Sequence, residues 1–295
     1  MPSLKEIRNR IRSVKNTQKI TRAMKLVAAA KLRRAQDAVV ASRPYARKMR
    51  EMLAAMASSL DEGTHPLFRQ NTEPGRVLLI PISSDRGLCG GFNSSIIKRT
   101  ERERVELAKV STGVELAPIG RKARGHFQRR DVPSYLPMDE LLPDHSPESV
   151  QATVRRLVDL FESGEFDQIH LVYNEFQSAL TQVVRVETFL PLSAEGLMGD
   201  EDRERYSQQA DILFEPPVQE LLDELLPRYL ESQFYRALLE SLASEMGARM
   251  TAMDNASRNA SDILDKLTLQ MNRARQAIIT TELMEITSGA EALKG

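Results

Sequence analysis

Leu4, Ile7, Ile11 and Val14 stand three, four and three residues apart, the spacing that lays apolar side chains along one seam of a helix packed on another. Gln18 and Thr21 take the next two seam positions, and Ala28, Ala29 and Ala30 then thin the helix. The surface it meets is expected to become smaller or more polar there. Met49, Met52, Met56 and Leu60 resume an apolar stripe after Pro44, where a kink or short break is expected. The other end of the chain mirrors this. Leu239, Leu242 and Met246 open a repeat that continues through Met253, Ala256, Ala260, Ile263, Leu267, Ala274 and Ala277, with Arg249 and Gln270 interrupting it.

Helix breakers are absent from both stretches. No proline lies between Pro2 and Pro44 and no glycine precedes Gly63, while after Pro227 only Gly247 and Gly289 fall before Ala292. The pattern predicts long helices over 1–62 and 212–292; at 1.5 Å per residue, helices of about sixty residues or more reach roughly 90–110 Å. Two seams separated by a domain that can reverse chain direction pack most simply as an antiparallel coiled coil. The alternative is that each seam lies on the middle domain. In the antiparallel arrangement Ile11 falls near Leu267. The C-terminal helix, longer by roughly ten to fifteen residues, then projects past the N-terminus.

Residues 76–192 alternate between the two periods. Val77–Ser83, Val114–Ile119, Gln168–Tyr173 and Thr181–Phe189 read as strands; Asn93–Lys109, Arg121–Arg130 and Pro147–Ser163 read as helices. That succession predicts a largely parallel, Rossmann-like sheet flanked by helices. Pro81 suggests that pairing of the first strand fades after Ile80. Residues 193–211, acidic and polar, form the connection back to the C-terminal helix. The expected fold class is therefore α/β plus coiled coil.

Charge changes the picture of the first helix. Residues 1–50 hold fifteen Lys and Arg against Glu6 and Asp37, a balance of +13 in a chain whose net charge is zero. A basic rod implies an acidic partner. Its bases (Arg8, Arg10, Arg12, Lys15, Lys19, Arg22, Lys25) surround the helix, whereas nucleic-acid grooves and flat membranes favour a one-sided array. Insertion into an enclosing collar fits better, and no nucleic acid is expected. Cys89 is the single cysteine, so an intrachain disulfide and a multi-cysteine metal site are excluded. No apolar run approaches a membrane span. The Arg-rich, acid-poor start resembles a transit peptide, but the same helical pattern continues past Leu32 without a cleavage-like break.

Candidate chemistry is sparse. SSDRGLCGGFN, Ser83 to Asn93, places Gly87, Gly90 and Gly91 at a strand-to-helix turn where amides can cradle phosphate. The spacing matches neither a dinucleotide fingerprint nor a P-loop, and no Lys-Ser/Thr pair follows, so tight-turn packing is the better account. Cys89 as a nucleophile would need a base, and His65, His126, His145 and His170 are scattered. Catalytic, cofactor and metal sites are therefore all expected to be absent.

Ser3–Gln36 (SLKEIRNRIRSVKNTQKITRAMKLVAAAKLRRAQ), Ser83–Asn93 and Arg273–Leu293 (RARQAIITTELMEITSGAEAL) closely resemble the gamma subunits of F-type ATP synthases, as does Glu231–Ala260. The resemblance spans nearly the whole chain. It implies a non-catalytic rotor shaft inside a ring of alpha and beta subunits. The α/β domain would lie at the foot with the epsilon subunit, against the membrane ring of c subunits, and proton flow would turn the assembly. Carried over by motif, Arg275 and Gln276 match the pair that hydrogen-bonds a catch loop of the collar. Met24 and Lys25 lie where the shaft meets an acidic lever of the beta subunit, and Lys98 matches a lysine near that lever. Phe214 and Glu215 fall in a region near the c ring. A single cysteine rules out the regulatory pair of plant-type members. The family motif begins almost at Met1, which implies a bacterial protein without a transit peptide, peripheral on the cytoplasmic side of the plasma membrane. The competing classes are a nucleotide-binding α/β enzyme with helical arms and a coiled-coil scaffold or nucleic-acid binder.

Overall fold

A computed structural model describes residues 3–57, 65–69, 75–132, 134–136, 138, 146–193 and 216–292. The expected connection is thus outside the described residues from 194 to 211, as are 58–62 and 212–215. The elements are α1 (Leu4–Ala57), a 3-10 turn (Pro66–Phe68), β1 (Arg76–Pro81), α2 (Phe92–Leu107), β2 (Gly113–Leu116), α3 (Arg121–Gln128), α4 (Pro147–Glu162), β3 (Gln168–Phe176), β4 (Gln182–Leu190) and α5 (Val218–Ala292). The chain divides into two compact units, one of residues 1–28 and 249–295, the other of residues 29–248.

Local chemistry sets where helices begin. Ser3 and Glu6 form a reciprocal cap on α1: the Ser3 amide donates to Glu6 Oε2 at 2.9 Å and the Glu6 amide to Ser3 Oγ at 3.3 Å. Ser146 caps α4, accepting from the Ser149 amide, with Pro147 in the first turn where its missing N–H costs nothing. Of the two outcomes expected at Pro44, the short break is not found; one helix of 54 residues runs through it. Beyond it, Met49, Leu53 and Met56 are anchored in the core of the larger unit, which opposes the loss of one backbone hydrogen bond.

In the smaller unit the two seams meet. Along α1 the covered positions are Leu4, Ile7, Ile11, Val14, Gln18, Thr21, Lys25 and Ala28, alternating three and four apart. Along α5 they include Met253, Ala256, Ser257, Ala260, Ser261, Leu264, Leu267, Met271 and Ala274. Lys25 Nζ lies 2.5 Å from Asp254 Oδ1 and fixes the register. Counting back from Lys25 to Leu4, and forward by the same number of residues from Asp254, arrives at Arg275, one past the last covered position. The helices are therefore antiparallel, and the register sets Ile11 beside Leu267. Three expected seam assignments are corrected. Ile263 is 46% exposed and its neighbour Leu264 takes the seam; Ala277 is exposed; Gln270 does not interrupt the seam, because Met271 occupies it.

In the larger unit four strands run in the order β2-β1-β3-β4, with β1 parallel to both β2 and β3, and β4 antiparallel to β3. Leu78, Ile80, Leu171 and Tyr173 point into a core shared with α4, the end of α1 and the start of α5. Leu79 and Val172 point to the other face, onto α3 and α2 respectively. Pairing of β1 does not fade after Ile80: Pro81 pairs with Val172, and the Ile82 amide donates to the Val172 carbonyl at 2.8 Å. The Pro81 carbonyl accepts from Ile119, so the ring faces the side where β2 has already ended and the ladder with β3 is untouched.

Helix α5 closes on the carboxyl ends of the strands. Ser241 Oγ donates to the Ile82 carbonyl and Ser244 Oγ to that of Asn174. Gly247 makes the approach possible, since a Cβ there would stand 3.3 Å from both Ala179 and Phe176.

Candidate functional site

The Ser83–Asn93 turn is a closed knot. Asn93 Oδ1 accepts from the Ser84 amide at 3.0 Å, and Asn93 Nδ2 donates to Ser84 Oγ at 2.8 Å and to Cys89 Sγ at 3.1 Å. Ser83 Oγ donates to the Ile119 carbonyl and accepts from the Ala123 amide, tying the turn to α3. Gly120, at φ +88°, lies so close that a Cβ would meet the Ser83 carbonyl oxygen at 2.1 Å. The side chains of Ser83, Ser84 and Asn93 are thus engaged within the protein, and Cys89 is 2% exposed. The described histidines stay apart: His65 bonds Asp223, His126 bonds Glu101, and His170 sits between Gln168 and Thr188. Burial depresses the His170 pKa to about 4, which keeps the ring neutral. Among the described residues no cluster of His, Cys, Asp and Glu could hold a metal ion.

A polar joint binds α5 to the sheet. Arg236 Nη2 reaches both oxygens of Glu187 on β4, at 2.7 and 2.8 Å, while Nη1 reaches Tyr173 Oη at 3.0 Å and Glu240 at 3.3 Å. Tyr173 donates to Glu187 at 2.7 Å. Desolvation raises the Tyr173 and Glu240 pKa values, whereas for Arg236 the neighbouring acids outweigh desolvation and raise it. The arrangement is structural.

The surfaces free for partners lie elsewhere. Met24 is half-buried, and beside it Ile20, Leu26 and Val27 are 60%, 65% and 58% exposed on α1. Lys25 is not a free cation, because Asp254 holds it; Asp254 also accepts from Arg258 at 2.6 Å. Lys25 first and then Arg258 hold the Asp254 carboxyl below its usual pKa. Arg275 and Gln276 are exposed on α5 just beyond the seam, roughly 30 Å along the axis from Lys25 at 1.5 Å per residue. From Arg275 to Gly289 every residue is exposed, including Ile278, Ile279, Leu283, Met284 and Ile286. Lys98 is exposed on α2, in the larger unit. Phe214 and Glu215 lie outside the described residues.

The sequence reading missed Asp254 and the apolar surface at Ile20, Leu26 and Val27. Asp254 and Arg258 at i and i+4 were a visible signal, but only the register brings Lys25 to them.

A family model described as ATP synthase matches residues 3–293. The ATP synthase gamma chain of Geotalea uraniireducens is 47% identical, with both chains covered in full. The chain belongs to the ATP synthase gamma-chain family. The gamma chain of Sorangium cellulosum is 46% identical, again over both chains entirely. Among solved structures, a chain from the central stalk and c-ring of the Tetrahymena thermophila mitochondrial ATP synthase matches with a TM-score of 0.57 and 28% identity, covering 81% of this chain and 99% of that one. A chain of the Euglena gracilis enzyme matches with a TM-score of 0.63 over 98% and 94%, and at 17% identity supports the fold alone. This gamma chain is a subunit of the central stalk of an F-type ATP synthase. None of its described helices is long and apolar enough to cross a membrane.

Proposed function

We propose that this gamma chain is a rotating shaft that performs no bond chemistry. It couples proton-driven turning of a c ring to the conformational cycle of catalytic sites in a surrounding ring of alpha and beta subunits. The carrying observation is the run from Arg275 to Gly289, where five large apolar side chains stand exposed on a helix beyond the last covered seam position. Exposed apolar surface of this kind marks a site that a partner covers. Arg275 and Gln276, at the base of that tip, contact the collar there. Met24 and Lys25 meet an acidic element of the ring lower down, with Lys98 near the same element. The larger unit stands at the foot with the epsilon subunit, and the region of Phe214 and Glu215 lies near the c ring. The complex is peripheral to the plasma membrane on its cytoplasmic side.

Cysteines at Ile11 and Leu267 test this reading, placed in a Cys89→Ser background of the assembled complex. A disulfide between them joins two parts that turn together and is expected to leave ATP hydrolysis largely intact. A crosslink from Ile279→Cys to a beta subunit is expected to stop it. Hydrolysis at the parent rate with the tip fully crosslinked overturns the rotating shaft.

A further inference from the structure

We propose that Asp254 is a positioning residue that neutralises Lys25, so that the shaft slides past an acidic partner surface without being caught at one angle. The inference deepens the proposed function and rests on its placement of an acidic element of the ring at the height of Met24 and Lys25.

Lys25 differs from the other bases of the rod. Residues 3–34 hold eleven Lys and Arg, and among the described residues Lys25 is the one in an ion pair. The pair is not casual: the two side chains are 39% and 24% exposed, and the second carboxylate oxygen is occupied by Arg258. The carboxylate thus sits between two cations, which holds it ionised and aimed at Lys25.

Location gives the pair its consequence. At the height of Lys25 the helix also exposes Ile20, Leu26 and Val27, so a partner that closes around the shaft there meets an apolar surface next to the cation. A cation inside such a contact is partly desolvated when a partner closes over it, and its attraction to an acid grows as the local dielectric falls. On a rotor that attraction peaks once per turn and makes a sticking point. A carboxylate 2.5 Å away within the same rigid coil already occupies the ammonium, so an approaching acid must compete with it. The remaining positive charge of the triad moves outward to Arg258, which is 75% exposed and screened by water.

Asp254→Asn keeps the shape and removes the charge. In the assembled complex at about 0.01 M salt, where charges act over roughly 30 Å, ATP hydrolysis is expected to slow about two- to fivefold. Near 0.15 M salt, where the range is about 8 Å, most of the loss is expected to disappear. Lys25→Gln in the Asp254→Asn background is expected to relieve the low-salt slowing and to leave a rate that no longer varies with salt, because no cation remains to catch. A purely structural role predicts a loss that persists in salt and in the double variant. Parent-rate hydrolysis by Asp254→Asn at low salt, or a loss that neither salt nor Lys25→Gln relieves, overturns the proposal. Met24→Lys separates it from the reading beneath it. If Met24→Lys slows the low-salt rate while Asp254→Asn does not, the acidic element is there and the neutralising role is wrong. If neither slows it, the placement of the acidic element falls as well.

Discussion

One helix, α5, has two very different ends. Between Leu222 and Ala248 most of its apolar side chains are buried: Leu226, Leu230 and Phe234 are 0% exposed. Between Arg275 and Gly289 residues of the same kind stand in the open: Leu283, Met284 and Ile286 are 57%, 62% and 68% exposed. Hydrophobicity is therefore not what distinguishes core from surface here. The base is covered by the sheet, α4 and the end of α1; the tip is covered by nothing among the described residues. The helix persists in both places because its backbone hydrogen bonds are internal, but only the base gains from burial. A tip of this kind has its partner built into its surface.

The contrast can be broken most directly by truncation. Phe234→Ala is expected to cost about 3–5 kcal/mol in urea unfolding of the chain, whereas Ile279→Ala is expected to stay within about 0.5 kcal/mol. Equal costs would mean that the tip is buried by this chain after all. Arg236→Ala leaves Glu187 without its bidentate partner and is expected to cost about 2–4 kcal/mol. That lies below the figure for a fully buried pair, because the Glu187 side chain is 37% exposed.

Acid is expected to weaken the base and spare the tip. The His170 pKa is about 4 in the folded protein against 6.5 in the unfolded chain, so the unfolded state takes up the proton first. Its contribution is fully present above pH 6.5 and is lost as pH falls towards 4, by up to about 3 kcal/mol. His170→Gln should flatten that part of the stability–pH curve; an unchanged slope would assign it to other groups. Arg275→Ala should reverse the pattern. It leaves unfolding unchanged but lowers ATP turnover of the assembled complex about tenfold or more, for a lost charge-assisted contact of about 1.5–3 kcal/mol. Parent-rate turnover would remove Arg275 from the collar contact.

Much of this was legible because it is local. Helix period, the excess of bases before residue 50 and the alternation of strand and helix are properties of neighbouring residues, and they were enough to foresee an antiparallel pair of long helices and a mostly parallel sheet. The candidate contacts were legible only through motif resemblance, since exposed residues such as Lys98 or Arg275 leave no trace in periodicity.

What tertiary structure decided lies where the sequence offers two locally equal choices. Ile263 and Leu264 are adjacent and both apolar, and Gln270 abuts Met271. Which of them faces the other helix depends on phase accumulated over several turns against a partner, not on the residues themselves. Pro44 and Pro81 read locally as breaks, but anchoring beyond one and a neighbouring strand already ended beside the other make them harmless. Lys25 and Asp254 are 229 positions apart, and only the register of two long helices turns them into a pair. The sequence by itself determined which stretches are helices and that each carries a seam. The meeting of the two seams determined which atoms touch, because the energy of a contact belongs to both surfaces at once.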